Sequence, residues 1–432
     1  MKIPGLVDDR PQAPSLASAW QAVPKPWLAR MASLSPARHA LAGGLLAAAL
    51  GAVSGQAVAQ AGAPIRFMVI AGTGPGTTGA DIVPGAQAAV EAINARGGIN
   101  GRKLEMEHCD PKNDPNRAGA CARKAAGDET IVATVGNALL SGGEQVNPIL
   151  EQAGMAAIAT KAYVPADWNS PNVFTVDLGA PSGGAGSAVI LAGRGAKNFT
   201  VVSIQVPALV TMLDFVEKLV LPNFPGTKID KRVLMPPATT DVTPYVAEAM
   251  RGDPDGIAVI PTRGLAIPFI RALRAQGFKG IITTGATVVA AEDLTGPLKG
   301  FTENLILAGG FSRTGKGWDD FAAAMAKFQP TAQYTEQAVV SWIGVNQLAH
   351  VAGRVSGPLN RVAILKAMNE LKDYSTDGLT PNLDYSKPLA VPGYVRAFNP
   401  TTVEDKVEND KIVTPRPVTF INTLTGKKTE RQ

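Results

Sequence analysis

Histidine and cysteine are scarce in this chain: three and two in 432 residues. His39, His108 and His350 stand alone, with no ligand spacing between them, so no metal centre or other cofactor is expected. Cys109 and Cys121 form no Cys-x-x-Cys pair, which excludes a dithiol redox motif. Neither a Gly-x-Ser-x-Gly elbow nor a phosphate-loop Gly-Lys-Ser/Thr occurs, so a serine hydrolase and a P-loop nucleotidase find no support. The net charge of +5 comes from scattered Lys and Arg, without a basic run interleaved with aromatics, so nucleic acid is not an expected partner. No segment beyond the N-terminal region offers the roughly eighteen apolar residues of a membrane helix.

What is present is a globular balance, 45% apolar and 18% charged, in a chain long enough for two domains. The N-terminus reads as a secretory signal over residues 1–59. Arg30 and Arg38 precede an apolar stretch, Ala40 to Val53, and Ala57-Val58-Ala59 offers a small-x-small cleavage site before Gln60. A buried Ala-rich helix is the competing reading. Residues 1–30 make an odd leader, which points to Met31 as the true start and to 1–30 as a mis-assigned one. Export makes a Cys109–Cys121 disulfide the economical reading, with two free buried thiols as the alternative.

Apolar runs at Ile65–Ala71, Lys103–Cys109, Ile131–Val135 and Ala156–Ala159 alternate with helical patterns at Pro84–Ala95, Asn116–Ala126 and Gly143–Ala153. This is the pattern of βαβ units around a parallel sheet. A Gly-rich stretch, Gly179 to Gly186, opens a second such unit. Its strands are predicted at Asn198–Ile204, Gly256–Ile260 and Gly280–Thr284, and a further extended piece at Asn304–Ala308. Thr243 is expected to cap a helix with Pro244 in its first turn, and Leu265–Gln276 reads as a helix closed by Gly277. Three more helical runs and a Pro-rich, extended tail from Pro381 follow. Alternation alone also fits two sequential domains.

The run Gly85 to Asp114, GAQAAVEAINARGGINGRKLEMEHCDPKND, combines a helix with Ala86, Ala89, Val90 and Ile93 on one face, a glycine turn, a strand and an acidic loop. Its wording, "AINARGGINGRKLE" followed by D-x-x-x-D-P, closely resembles the branched-chain amino acid binding proteins of bacterial ABC transporters. "TGPGTTG", "VGNALLSGG" (Val135 to Gly143), "DPDGIAVI" and "IPFIRALRAQGFKG" extend the resemblance across most of the chain after residue 59.

The resemblance implies an α/β, two-lobed type I periplasmic binding protein fold with hinge crossovers. It places lobe 1 at 64–176 and 307–383, lobe 2 at 177–306, and a lobe 2 tail at 384–432. It further implies a non-enzymatic periplasmic protein that binds a small solute between its lobes and docks on a membrane ABC permease. A periplasmic sensor serving a receptor kinase would use the same fold.

By the same resemblance Ser141, at a helix start, would hold a ligand carboxylate, with Thr77 and Thr78 on the first-strand loop. Departures from the amino acid binders fall at the other contacts. Gly285-Ala286-Thr287-Val288 carries no acid for an ammonium, and Gln205 and Arg263 stand in the segments where the family usually has an aromatic. Lys161-Ala162-Tyr163 stands where the family has an amino-group-binding threonine. Lys161 and Arg263 facing the cleft would favour an acidic ligand without a free α-ammonium, with Tyr163, Gln205 and Thr287 as further contacts; the other reading makes both cations solvated rim charges.

One enzyme-like motif competes. Gly74-Pro75-Gly76-Thr77-Thr78-Gly79 matches Gly-x-Gly-x-x-Gly, and Asp110 follows the second strand, as in an exported NAD(P)-dependent oxidoreductase. Pro75 inside the fingerprint, and an acid roughly thirty residues on where about twenty is usual, count against it.

Overall fold

A computed structural model describes residues 62–74 and 79–431. Residues 1–59, where a signal segment and a start at Met31 are expected, and the loop residues Thr77 and Thr78 lie outside the described residues.

The first sheet is built by β1 (Ile65–Ile70), α1 (Ile82–Ala95), β2 (Leu104–Cys109), α2 (Pro115–Gly127), β3 (Ile131–Val135), α3 (Gly143–Gln152), β4 (Ala156–Ile158), α4 (Pro165–Asn169) and β5 (Val173–Phe174). Its strand order is β2-β1-β3-β4-β5, with every pair parallel. Helices on both faces explain why β3 and β4 are buried at every residue and read as unbroken apolar runs. The Asp114 carboxylate caps α2, accepting from the amides of Asn116 and Arg117. The Cys109–Cys121 disulfide is formed, Cα to Cα 5.8 Å, and ties the end of β2 to the middle of α2.

The chain then crosses to a second sheet through α5 (Ser182–Gly193), β6 (Asn198–Ile204), α6 (Pro207–Phe215), β7 (Lys228–Met235), α7 (Thr243–Met250), β8 (Gly256–Val259), α8 (Arg263–Ala275), β9 (Ile281–Gly285), α9 (Ala291–Thr295) and β10 (Leu305–Gly309). It returns to the first sheet with α10 (Lys316–Phe328), α11 (Glu336–Ala352) and α12 (Arg361–Glu370), whose apolar residues share one core with α1, β1 and β3. A last crossing adds β11 (Thr401–Glu408), β12 (Lys411–Val413), β13 (Val418–Asn422) and β14 (Lys428–Arg431). The second sheet has the order β14-β13-β11-β10-β9-β8-β6-β7, with β12 beside β11.

Two expectations are corrected, and one strand was missed. The second sheet is mixed: β6 to β10 are parallel, whereas the tail strands join antiparallel. The edge strand β7 was not legible, because its alternating Lys and Asp residues face solvent. Thr243 does not cap α7. Thr243 is already the first helical residue, and the Asp241 carboxylate, two residues before it, accepts from its amide at 2.9 Å. No helix among the described residues is long and apolar enough to cross a membrane.

Candidate functional site

The crossings fix where the sheets meet. The first leaves the carboxyl end of β5 and enters α5, whose Gly183 lies beside Gly285 at the carboxyl end of β9. The second leaves the carboxyl end of β10, where Gly310 lies against Asp177 of the first crossing. The carboxyl edges of both sheets therefore converge on the hinge, and the loops leaving them border one cleft, the position where open α/β sheets take ligands.

On the first sheet these loops run side by side. Ala71, Ala138 and Lys161 continue the strand ladder as isolated bridges past β1, β3 and β4. Buried Asn137 locks them: its carbonyl accepts from the Ile70 amide at 3.3 Å, and its amide donates to Thr134 at 2.9 Å. Ser141 lies partly exposed just before α3, and its hydroxyl reaches the Asn113 carbonyl only at 3.5 Å. The amides of Gly143 and Glu144 in the first turn of α3 have no hydrogen-bond partner among the described residues, leaving two donors beside Ser141. Leu140, next to it, is an exposed large apolar side chain.

Tyr163 is half-buried on the β4 loop. Its amide donates to the buried Asp167 carboxylate at 2.9 Å, as does that of Val164 at 3.2 Å, while Asn147 of α3 donates to the other oxygen at 2.9 Å. Asp167 thus fastens the Tyr163 loop to the helix behind Ser141. Burial, with Glu144 nearby, outweighs these donors and pushes its carboxyl up to about 6. Asp110 is engaged within the protein: it accepts from Thr73 at 3.1 Å and from the Lys112 amide at 2.8 Å, and α1 starts only at Ile82, past the third glycine of the motif.

The two cations expected in the cleft are both engaged within the protein. Lys161 is buried and pairs with Asp177 on the first crossing. Burial lowers its ammonium, but the carboxylates of Asp177 and Glu336 outweigh that and hold it above its ordinary value. Glu336, at the start of α11, accepts from the Gly310 amide at 2.6 Å, and burial pushes its carboxyl up despite Lys161. On the second sheet, Arg263 forms a fork onto Asp293, 2.9 Å at each oxygen, and reaches Glu292 at 2.7 Å. Gln205 and Thr287 are exposed at the exits of β6 and β9.

The structure therefore brings Ser141, Lys161 and Tyr163 to loops at the carboxyl edge of the first sheet, with Lys161 buried, and Gln205, Arg263 and Thr287 to the carboxyl edge of the second. The buttressing residues Asn137, Asp167 and Asp177 were missed. Only Asp167 carried a sequence signal, as an acid in the first turn after Pro165.

Two α/β sheets joined by three crossings, with a loop-lined cleft at their carboxyl edges, define a two-lobed binding protein. The profile of the periplasmic binding protein family matches residues 68–388, and the chain belongs to that family, whose members bind solutes and are not enzymes. The Leu/Ile/Val-binding protein of Escherichia coli is 37% identical over 81 residues, 19% of this chain and 22% of that relative. Matches to curated relatives thus span only about a fifth of those proteins' length. The branched-chain amino acid transporter substrate-binding protein of Streptococcus pneumoniae, solved with isoleucine, superposes with a TM-score of 0.65 at 18% identity, covering 82% of this chain and 100% of that one. A solute-binding protein of an R. palustris ABC transporter, solved with 4-hydroxybenzoate, gives 0.67 at 18%, covering 84% and 98%. These similarities establish the type I periplasmic binding protein fold.

Proposed function

We propose that this protein is the periplasmic substrate-binding component of an ABC-type importer and that it closes its two lobes on a small organic acid lacking a free α-ammonium. One observation carries the ligand reading: the acids at the second-sheet exits, Glu292 and Asp293, are consumed by Arg263, so no carboxylate there is left for an ammonium. A buried ammonium without a partner is strongly disfavoured. The carboxylate of the ligand is received by Ser141 and the free amides of Gly143 and Glu144, which need no lysine. A related fold crystallised with 4-hydroxybenzoate supports an aromatic acid as the first candidate.

A thermal-shift series on the purified chain with 4-hydroxybenzoate, succinate and leucine tests this. Stabilisation by an acid without an amino group is the expected result. Comparable stabilisation by leucine would overturn it.

A further inference from the structure

A second concave site lies away from the cleft. α1 starts at the carboxyl edge of the first sheet and ends at Arg96, close to where β2 begins, so Arg96 marks the opposite end of that sheet. There α1, α10, α11 and the 374–379 loop enclose a cavity of about 660 Å³. An adjoining hollow of about 440 Å³ shares Arg96, Asn346, Tyr374 and Ser375 with it. Both volumes lie in the range of small-molecule sites.

The chemistry of the lining is one-sided. Phe328, Trp342 and Ile343 give it an apolar floor. Arg96 and Lys327 line it without an ion-pair partner among the described residues, and the Lys327 ammonium sits 4.8 Å from the Phe328 ring centroid. The two acids in the lining, Asp320 and Asp377, are both taken by Lys316, at 2.6 and 2.9 Å. Tyr374 lines both hollows, and its hydroxyl, which has no hydrogen-bond partner among the described residues, opens onto them. Burial raises the pKa of this phenol, so it stays protonated and donates. An acceptor supplied from outside would meet the Tyr374 hydroxyl and the unpaired Arg96 guanidinium together, over an apolar floor.

We propose that this cavity is a second ligand site, for a small monocarboxylic acid with a flat apolar body, its carboxylate held by Tyr374 and Arg96 and its body lying on Trp342 and Phe328. The site is independent of the cleft and does not rest on the ligand assigned there.

Photolabelling the full chain with 4-azidobenzoate, followed by peptide mapping, tests it. Labelling is expected on peptides containing 92–96, 342–346 or 374–379. It should fall at least tenfold in Arg96→Ala and in Tyr374→Phe, and stay unchanged in Ser141→Ala. Arg96 is exposed and phenylalanine preserves the ring, so both variants should fold, which their melting curves check. Labelling confined to the 137–143 and 161–164 loops, labelling that survives both substitutions, or no labelling would each overturn the proposal.

Discussion

Asp167 carries an ionisable group where the Tyr163 loop is fastened to α3. Its carboxyl titrates near 6 in the folded protein, mainly because it is buried, against an ordinary value of 3.8. The folded state therefore holds this proton more tightly than the unfolded chain does. The stabilisation is fully present below about pH 4 and is lost as pH rises through 6, on the order of 3 kcal/mol in total. Asp167→Asn removes the titration, so the stability of wild type relative to this variant should fall between pH 4 and 7; parallel urea-denaturation curves across that range would contradict the assignment. Lys161 makes the complementary case. A methionine at 161 leaves Asp177 and Glu336 buried without their cation, a loss of about 3–5 kcal/mol. Asp177→Asn leaves Lys161 still facing Glu336, so it should cost clearly less. Denaturant midpoints that rank the two the other way would show that Glu336 does not share the lysine.

At the scale of elements, close helix packing and one cross-link hold the first lobe. Gly85 lets α1 lie directly on α11: a Cβ there would come within 2.2 Å of the Ala338 carbonyl and 2.6 Å of the Ser341 hydroxyl. Gly85→Ala should thus cost about 2 kcal/mol or more through overpacking, read as a lowered melting temperature. The disulfide spans 12 residues and anchors the strand leading into Asp110, which in turn holds Thr73. Replacing both cysteines by serine should cost about 3 kcal/mol in the chain-entropy model, and the reduced wild type should match the variant. These elements also show what the sequence could disclose. β1, β3 and α1 were legible because their apolar period is set by burial in a continuous core. α5 was not, because glycines and buried small residues all round give it no amphipathic stripe. Gly186 there packs so close that a Cβ would meet Thr402 at 2.6 Å and Ala308 at 2.8 Å. The loops of the candidate site were legible as loops, but the partners of Lys161 and Arg263 were not. Asp177 and Asp293 are 16 and 30 residues away, and only the folded crossings and helices bring them near.

At the scale of the whole molecule, buried charges bind the hinge to both walls of the cleft. Lys161 reaches from the first-lobe wall to Asp177 on the first crossing, and Glu336 holds Gly310 on the second. Arg313, on that second crossing, pairs with the fully buried Asp405 of β11 at 3.0 Å and touches the carbonyls of Ala286 and Tyr334, each at 3.4 Å. Ala286 adjoins Thr287, so on the proposed function rotation of the lobes would move the groups next to the proposed ligand contacts. A ligand that contacts both walls must then bind the closed arrangement better than the open one, and can shift the balance only by that difference. At a hundred times its dissociation constant such a ligand adds about 2.7 kcal/mol of stability, a thermal shift of several degrees. The same saturation should lower the radius of gyration in solution X-ray scattering. Arg313→Met with Asp405→Asn, which removes both charges at nearly unchanged volume, should weaken ligand-induced compaction while leaving the chain folded. A ligand that raises the melting temperature without any compaction in the wild type would mean that it binds one lobe alone, and the hinge network would then be structural only.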